Sequence, residues 1–178
     1  EVSKVAFADR NHYMADPDFV PQPVEGLLNR AYLDGRAALI SSGSALSKIE
    51  AGQPPERQGG LEWSPHSGVL EAGTSHLSVV DGDGNIVSMT MTVEAAFGSH
   101  LMVRGFLLNN ELTDFSFVAE RDDKPVANRV EAGKRPRSSM SPVIVFNADG
   151  SPALVAGSPG GSRIIAYTAG AVARVLGH

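Results

Sequence analysis

Apolar residues recur with two different periods in this 178-residue chain, and the period changes near its middle. Val2, Val5, Ala6 and Ala8 fall near helical spacing, which predicts a helix over residues 1–15, stopped by Asp16-Pro17-Asp18. Pro21 and Pro23 keep the next stretch turn-rich, and short helices are predicted at Val24–Leu28 and Ala31–Ile40. From Ser41 to Gly73 the periodicity is lost and Gly, Ser, Pro and Glu dominate. That stretch reads as a long loop or linker, and loops of this length are usually functional or mobile.

From Ser75 onward the alternation is that of strands. Ser75–Val80 predicts one strand and Ile86–Val93 a second, joined through the turn Asp81-Gly82-Asp83-Gly84-Asn85 into a β-hairpin. Ser88, Thr90 and Thr92 share one face of the second strand; Val87, Met89, Met91 and Val93 share the other. Leu101–Leu108 predicts a third strand interrupted at Arg104-Gly105, and residues 121–137 read as polar loop. Val143–Phe146 and Ala153–Ala156 predict a second hairpin around Asn147-Ala148-Asp149-Gly150. Ser162 is placed to cap a helix running to Leu176, with Ile164, Ile165, Thr168, Val172, Val175 and Leu176 on a broad face. So few strands leave open sheet edges. The sequence opens on Glu1, not Met, and ends soon after that last helix, so a portion of a longer protein is expected.

Composition narrows the chemistry. Hydrophobic content of 42% and charged content of 20% are those of an ordinary globular chain, long enough for a real core. A net charge of −5, with basic residues clustered only at Lys134, Arg135 and Arg137, argues against a nucleic-acid surface. No apolar run approaches the roughly 20 residues of a membrane span, and no signal peptide is visible at Glu1. Without cysteine there is no disulfide, thiolate nucleophile or zinc–thiolate site. His12, His66, His76, His100 and His178 lack metal-ligand spacing. Asp81–Asn85 imitates the start of an EF-hand loop, but Ile86 stands where that loop needs glycine and strands flank it. No metal or organic cofactor is implied.

Five short blocks carry candidate chemistry. Thr74 opens the first strand, in Gly73-Thr74-Ser75-His76. Taken alone it is a strand-start threonine. Were the Gly73–Thr74 bond cut, its new α-amine would serve its hydroxyl as a base, with an unperturbed pKa of about 7.7–8.0. The same hydroxyl can attack the Gly73 carbonyl, and Gly73 has no side chain to obstruct it. Thr92, in Thr90-Met91-Thr92, faces Thr74 if the hairpin pairs around Asp83; it is also an ordinary β-former. Asn109-Asn110-Glu111-Leu112-Thr113-Asp114-Phe115 puts two carboxylates in one turn, suited to an ammonium group or simply to solvent. Ser138-Ser139, in Lys134-Arg135-Pro136-Arg137-Ser138-Ser139-Met140-Ser141-Pro142, can offer two hydroxyls to a carboxylate, or form a plain loop. Gly157-Ser158-Pro159-Gly160-Gly161-Ser162-Arg163 precedes a helix, where exposed amides stabilise a developing oxyanion or a phosphate. It lacks the Gly-Lys-Ser/Thr ending of a P-loop.

In this order the blocks resemble the small subunit of the gamma-glutamyltransferases (gamma-glutamyltranspeptidases), a family of N-terminal nucleophile hydrolases. Ala8-Asp9-Arg10 through Asp16-Pro17-Asp18-Phe19-Val20 resembles the end of the family's large subunit. The resemblance implies two regions. Residues 1–73 would be the C-terminal part of the large subunit with its loop-rich tail, and residues 74–178 the N-terminal part of the catalytic small subunit. It implies an α+β fold, the αββα sandwich, incomplete in this chain. It implies acyl transfer or hydrolysis of glutathione-like gamma-glutamyl amides, by a threonine released through autocleavage at Gly73–Thr74.

Residue by residue, the resemblance makes Thr74 the nucleophile and Thr92 its supporting hydroxyl. Gly160 and Gly161 supply the oxyanion hole. Glu111 and Asp114 take the substrate's α-amino group, and Ser138 and Ser139 its α-carboxylate. Glu94 stands where many members have an asparagine that contacts the amino-acid end of the substrate. The implied partners are a small gamma-glutamyl compound such as glutathione and the remainder of the large subunit, with no nucleic acid. The implied place is outside the cytoplasm, in bacteria the periplasm. The family's carboxylate-binding arginine falls upstream of Glu1 and its closing strands beyond His178, so the 178 residues alone are expected to be inactive. Two alternatives stay open: a glutaryl amidase like the cephalosporin acylases, and a non-catalytic, unprocessed homologue that acts in binding or assembly.

Overall fold

The computed structural model describes residues 1–55, 62–65 and 73–177. Among them are helices α1 (Val2–Tyr13), α2 (Val24–Leu28), α3 (Arg30–Ala37) and α4 (Ile164–Leu176). The strands are β1 (Thr74–Val80), β2 (Ile86–Thr92), β3 (Met102–Val103), β4 (Phe106–Leu107), β5 (Glu120–Arg121), β6 (Lys124–Pro125), β7 (Val143–Phe146) and β8 (Pro152–Ala156). They pair consecutively into four two-stranded antiparallel sheets. The expected loop from Ser41 to Gly73 falls partly outside the described residues. The chain divides into two units interleaved in sequence: Glu1–Gly68 with Asp114–Arg137, and Val69–Thr113 with Ser138–His178.

The first unit is organised around buried carboxylates of its N-terminal segment. Asp9 of α1 accepts from the Gly52 amide at 2.7 Å, the Tyr32 hydroxyl at 2.9 Å and Arg36 Nε at 3.1 Å. Burial and the adjacent Asp9 both raise the Tyr32 phenol's pKa. Tyr13 closes the group by donating to the Gly52 carbonyl at 2.6 Å. Asp16 accepts from the Arg135 amide, Nε and Nη2 at 2.8, 3.0 and 2.7 Å, which holds its carboxyl well below the ordinary carboxylate range. Val5, Tyr13, Val20, Phe115, Val126 and Ala127 are among the buried apolar side chains described in this unit. Residues 121–137, expected as loop, contain all but the first residue of a small hairpin: β5 turns into β6 through Asp122 and Asp123, at φ 53° and 58°. Helix α3 also ends earlier than expected, at Ala37.

The second unit carries the two longer hairpins. β1 and β2 pair from Thr74↔Thr92 to Val80↔Ile86, the register that a turn centred on Asp83 requires. Asp81 stabilises that turn by accepting from the Asp83 and Asn85 amides at 2.9 and 2.8 Å, so its carboxylate serves the turn itself. β2 meets β8 where the Ser88 hydroxyl donates to the Ala156 carbonyl at 3.2 Å. The opposite face of the β1–β2 hairpin is apolar and open: Val79, Val87, Met89 and Met91 are all exposed. Residues 101–108, expected as one interrupted strand, instead reverse at Arg104-Gly105 into the β3–β4 hairpin. Both turn residues have positive φ, 50° and 86°, which folds the chain back within two residues. The C-terminal helix also starts later than expected. Gly161–Arg163 forms a 3₁₀ turn first, Arg163 occupies the cap position, and Ser162 makes no capping bond there. Ile164 is almost fully buried at its start.

Candidate active site

The hairpin's polar face holds the site's centre. Three of the cross-strand pairs on that face are Thr74↔Thr92, His76↔Thr90 and Ser78↔Ser88. Thr74 Oγ1 donates to Thr92 Oγ1 at 3.2 Å. Thr92 Oγ1 also accepts from the Glu94 amide at 2.8 Å, which fixes the hydroxyl that faces Thr74. His76 Nδ1 lies 2.8 Å from Thr90 Oγ1 and Nε2 lies 3.1 Å from Ser78 Oγ, so the ring is held by its own hairpin. A Cβ on Gly157 would sit 2.2 Å from His76 Cε1, so the ring packs directly on that glycine's backbone. His76 is thus a packing and hydrogen-bonding residue two positions from Thr74.

Glu94 reaches the site by a route that strand alternation does not predict. Alternation beyond Thr92 would carry it onto the Thr92 face, but β2 ends at Thr92 and Glu94 has φ 71°. A non-glycine residue there costs on the order of 1–3 kcal/mol and persists only where its surroundings enforce it. The enforcement is visible on both sides. A Cβ on Gly73 would lie 2.2 Å from the Glu94 carbonyl oxygen and 2.6 Å from that of Ala95, so only glycine lets the turn approach this closely. On the other side Asn110 donates its amide N–H to the Val93 carbonyl at 3.2 Å and accepts from the Ala95 amide at 2.9 Å through Oδ1. Glu94 is consequently buried, at 7% exposure.

Asn110 links that turn to the next. Its carbonyl accepts from the Thr113 amide and hydroxyl, both at 2.9 Å, inside the 3₁₀ turn Glu111–Asp114. Asn109 Oδ1 accepts from the Glu111 amide at 3.0 Å. Carboxylate oxygens of Glu94 and Glu111 lie within 4.8 Å of each other, an arrangement that suits a cationic ligand group. Neither asparagine stood out in the sequence as a site residue. Their side chains build the acidic site by bonding backbone groups, and Asn-Asn just before an acidic turn was the available signal.

The remaining candidates follow along the chain. Asp114 ends the 3₁₀ turn and is half-buried. Ser138 and Ser139 follow Arg137 directly, and Ser138 Oγ accepts from the Met140 amide at 3.1 Å. Gly160 and Gly161 connect β8 to α4 with φ 133° and 56°, conformations that side chains rarely adopt. A Cβ on Gly160 would also press on the Tyr167 ring at 3.0 Å. The Gly160–Gly161 turn follows Gly157, which touches His76, by three residues.

Known proteins share this assembly of blocks. The sequence profile described as gamma-glutamyltranspeptidase matches residues 1–178. The glutathione hydrolase proenzyme of Pseudomonas aeruginosa is 46% identical over 174 residues, 92% of this chain and 28% of that protein. A crystal structure of a Helicobacter pylori gamma-glutamyltranspeptidase mutant superposes with a TM-score of 0.50 at 46% identity, covering 57% of this chain and 58% of that one. An acivicin-inhibited gamma-glutamyltranspeptidase, described as revealing roles for its C-terminus in autoprocessing and catalysis, gives the same TM-score and identity over 57% of each chain. The chain therefore spans well under a third of the length of the curated relatives it matches. With the whole sequence inside the family profile, the chain belongs to the gamma-glutamyltranspeptidase family.

Proposed function

We propose that the full-length protein is a gamma-glutamyl-transferring enzyme that activates itself by cutting the Gly73–Thr74 bond. The observation that carries this reading is the Thr74–Thr92 hydroxyl pair, 3.2 Å apart at the open end of a hairpin, directly behind Gly73. The proenzyme and autoprocessing described for its relatives support the same reading. In the first reaction the Thr74 hydroxyl attacks the Gly73 carbonyl, the peptide C–N bond breaks, and the nitrogen leaves as the Thr74 amine. Water then opens the resulting ester. In the second, that amine takes the hydroxyl proton as the oxygen attacks the gamma-amide carbonyl of a glutathione-like substrate. Amides of Gly160 and Gly161 stabilise the oxyanion, and the amine returns the proton to the departing nitrogen. Water or an amino acid then resolves the acyl ester.

In this reading Glu94, Glu111 and Asp114 recognise the α-ammonium group, and Ser138 and Ser139 the α-carboxylate. Processing leaves residues 1–73 ending the large subunit and residues 74–178 beginning the small one, within the αββα sandwich of the family. Denaturing mass spectrometry of the purified full-length protein is expected to give two chains, the second beginning at Thr74. A folded protein that stays intact through prolonged incubation would refute self-activation.

Glu94 supplies a specificity test. Asn accepts positive φ more readily than Glu, so Glu94→Asn relieves backbone strain while removing one of two adjacent carboxylates. Neighbouring charges interact at several kcal/mol at an effective dielectric of about 20, so substrate preference is expected to move by more than about tenfold. Both substrates carry the carboxylate and only the gamma-glutamyl one carries the α-ammonium group, so the kcat/KM ratio of gamma-glutamyl to glutaryl amide should fall in the processed enzyme. An unchanged ratio would remove Glu94 from the acyl pocket.

A further inference from the structure

The first unit holds a side chain that the chemistry above does not use. Asn128 is 1% exposed, and each of its polar groups that meets the surrounding chain has a definite task. Its Nδ2 donates to the Asp114 carbonyl at 2.7 Å. Its Oδ1 accepts from the Arg137 amide at 3.0 Å, and its carbonyl accepts from the Ser116 amide at 2.8 Å. We propose that Asn128 is a positioning residue for substrate recognition: it fixes Asp114 to the segment that leads into Ser138 and Ser139. The inference rests on the gamma-glutamyl reading of those three residues and adds the side chain that holds Asp114 in place.

The segment Asn128 holds is fastened at every basic residue. Lys134 has a fully buried side chain that donates to the Ala127 carbonyl at 2.7 Å and pairs with Glu131 at 2.9 Å. Arg135 is held by Asp16 through three bonds. Pro136 restricts its own φ. Arg137 is 8% exposed and donates from Nη1 to the Arg10 carbonyl at 3.2 Å. The three basic residues therefore anchor a strap and present no basic patch. Asn128 transmits the position of this strap to Asp114. Only a primary amide of this length offers a donor to one side and an acceptor to the other.

Asp114 needs this control because of its neighbours. Burial, and then the adjacent Arg10, push the Arg137 guanidinium down to about 9, while Asp114 opposes the shift. Burial lowers the Arg10 pKa too, again against Asp114. A guanidinium stays protonated in proteins, so these shifts express the cost of burying two like charges, which Asp114 offsets. A substrate ammonium group would meet an Asp114 already attracted toward two cations. A small displacement of its backbone then alters how much of its charge reaches the ligand.

The test uses processed full-length enzyme and two competitive inhibitors. L-Glutamate carries the α-ammonium group, and glutarate is the same diacid without it. Asn128→Ala is expected to raise the inhibition constant of L-glutamate at least about tenfold, as misplacement of a recognition group does. Glutarate should shift far less, and KM for a gamma-glutamyl anilide should rise more than kcat falls. Asn128→Asp keeps the acceptor for Arg137 but loses the donor to Asp114, and should reproduce the change. A purely structural residue would lower yield or melting temperature and leave the glutarate-to-glutamate ratio unmoved, and that result overturns the proposal. Failure of both variants to fold and process would also assign Asn128 a structural role alone. A wild-type enzyme without gamma-glutamyl turnover would instead sink the functional reading on which the inference rests.

Discussion

Thr74→Ala in the full-length protein is expected to abolish self-cleavage and gamma-glutamyl turnover together. One hydroxyl is asked to open its own peptide bond and then to open substrate amides. Removal of a catalytic nucleophile typically lowers kcat by on the order of 10⁶. The variant should still fold, because Thr74 contributes to the β1–β2 ladder through its backbone and alanine preserves that. Its melting temperature should stay close to that of the unprocessed wild type. Thr74→Ser keeps the oxygen and loses a methyl group, so partial processing and partial turnover are expected. Electrophoresis at timed intervals and anilide hydrolysis measure the two activities separately. Wild-type rates in the alanine variant would take Thr74 out of the mechanism.

Asp114→Asn should produce the next largest effect, carried mainly by KM. The change is nearly isosteric and spares the backbone carbonyl that Asn128 grips. It deletes the negative charge that would meet the substrate's ammonium group. Removing one partner of a desolvated, hydrogen-bonded charge pair costs about 2–5 kcal/mol, equivalent to roughly 30- to several-thousand-fold in affinity. It also removes a carboxylate whose charge offsets the burial of Arg10 and Arg137, so a lower melting temperature should accompany the loss. Steady-state kinetics with a gamma-glutamyl anilide separate the two constants. A change confined to kcat would place Asp114 elsewhere in the reaction.

The central hairpin was legible because its determinants are local. Alternation gave the faces, the Asp-Gly-Asp-Gly turn gave the centre, and together they set Thr74 opposite Thr92. The short reversals were harder to read. Arg104 and the pair Asp122-Asp123 adopt positive φ without the Asn-Gly sequence that advertises such a turn. Strand periodicity is no guide to Glu94 for a related reason: it lies past the last paired residue, where the backbone turns left-handed. The 3₁₀ turn before α4 displaced the cap expected of Ser162. Asn110 and Asn128 escaped notice because their bonds join segments brought together only by folding. The Asp16–Arg135 contact spans 119 residues, and no local window encloses it. The candidate chemistry was readable from motif blocks, whereas the supports beneath it were not.

One consequence follows from where β1 begins. Thr74 is the first residue of the β1 ladder, and just before the cut position the Val93 amide makes a long bond of 3.5 Å to the Gly73 carbonyl. Severing Gly73–Thr74 therefore leaves all seven β1–β2 residue pairs in place. The new chain end does not have to search for its working position. It is born inside a register that six further residue pairs already enforce, and its amine starts within bonding reach of its own hydroxyl. The entropy of placing that residue against the Thr92 hydroxyl is settled during folding, before any substrate arrives.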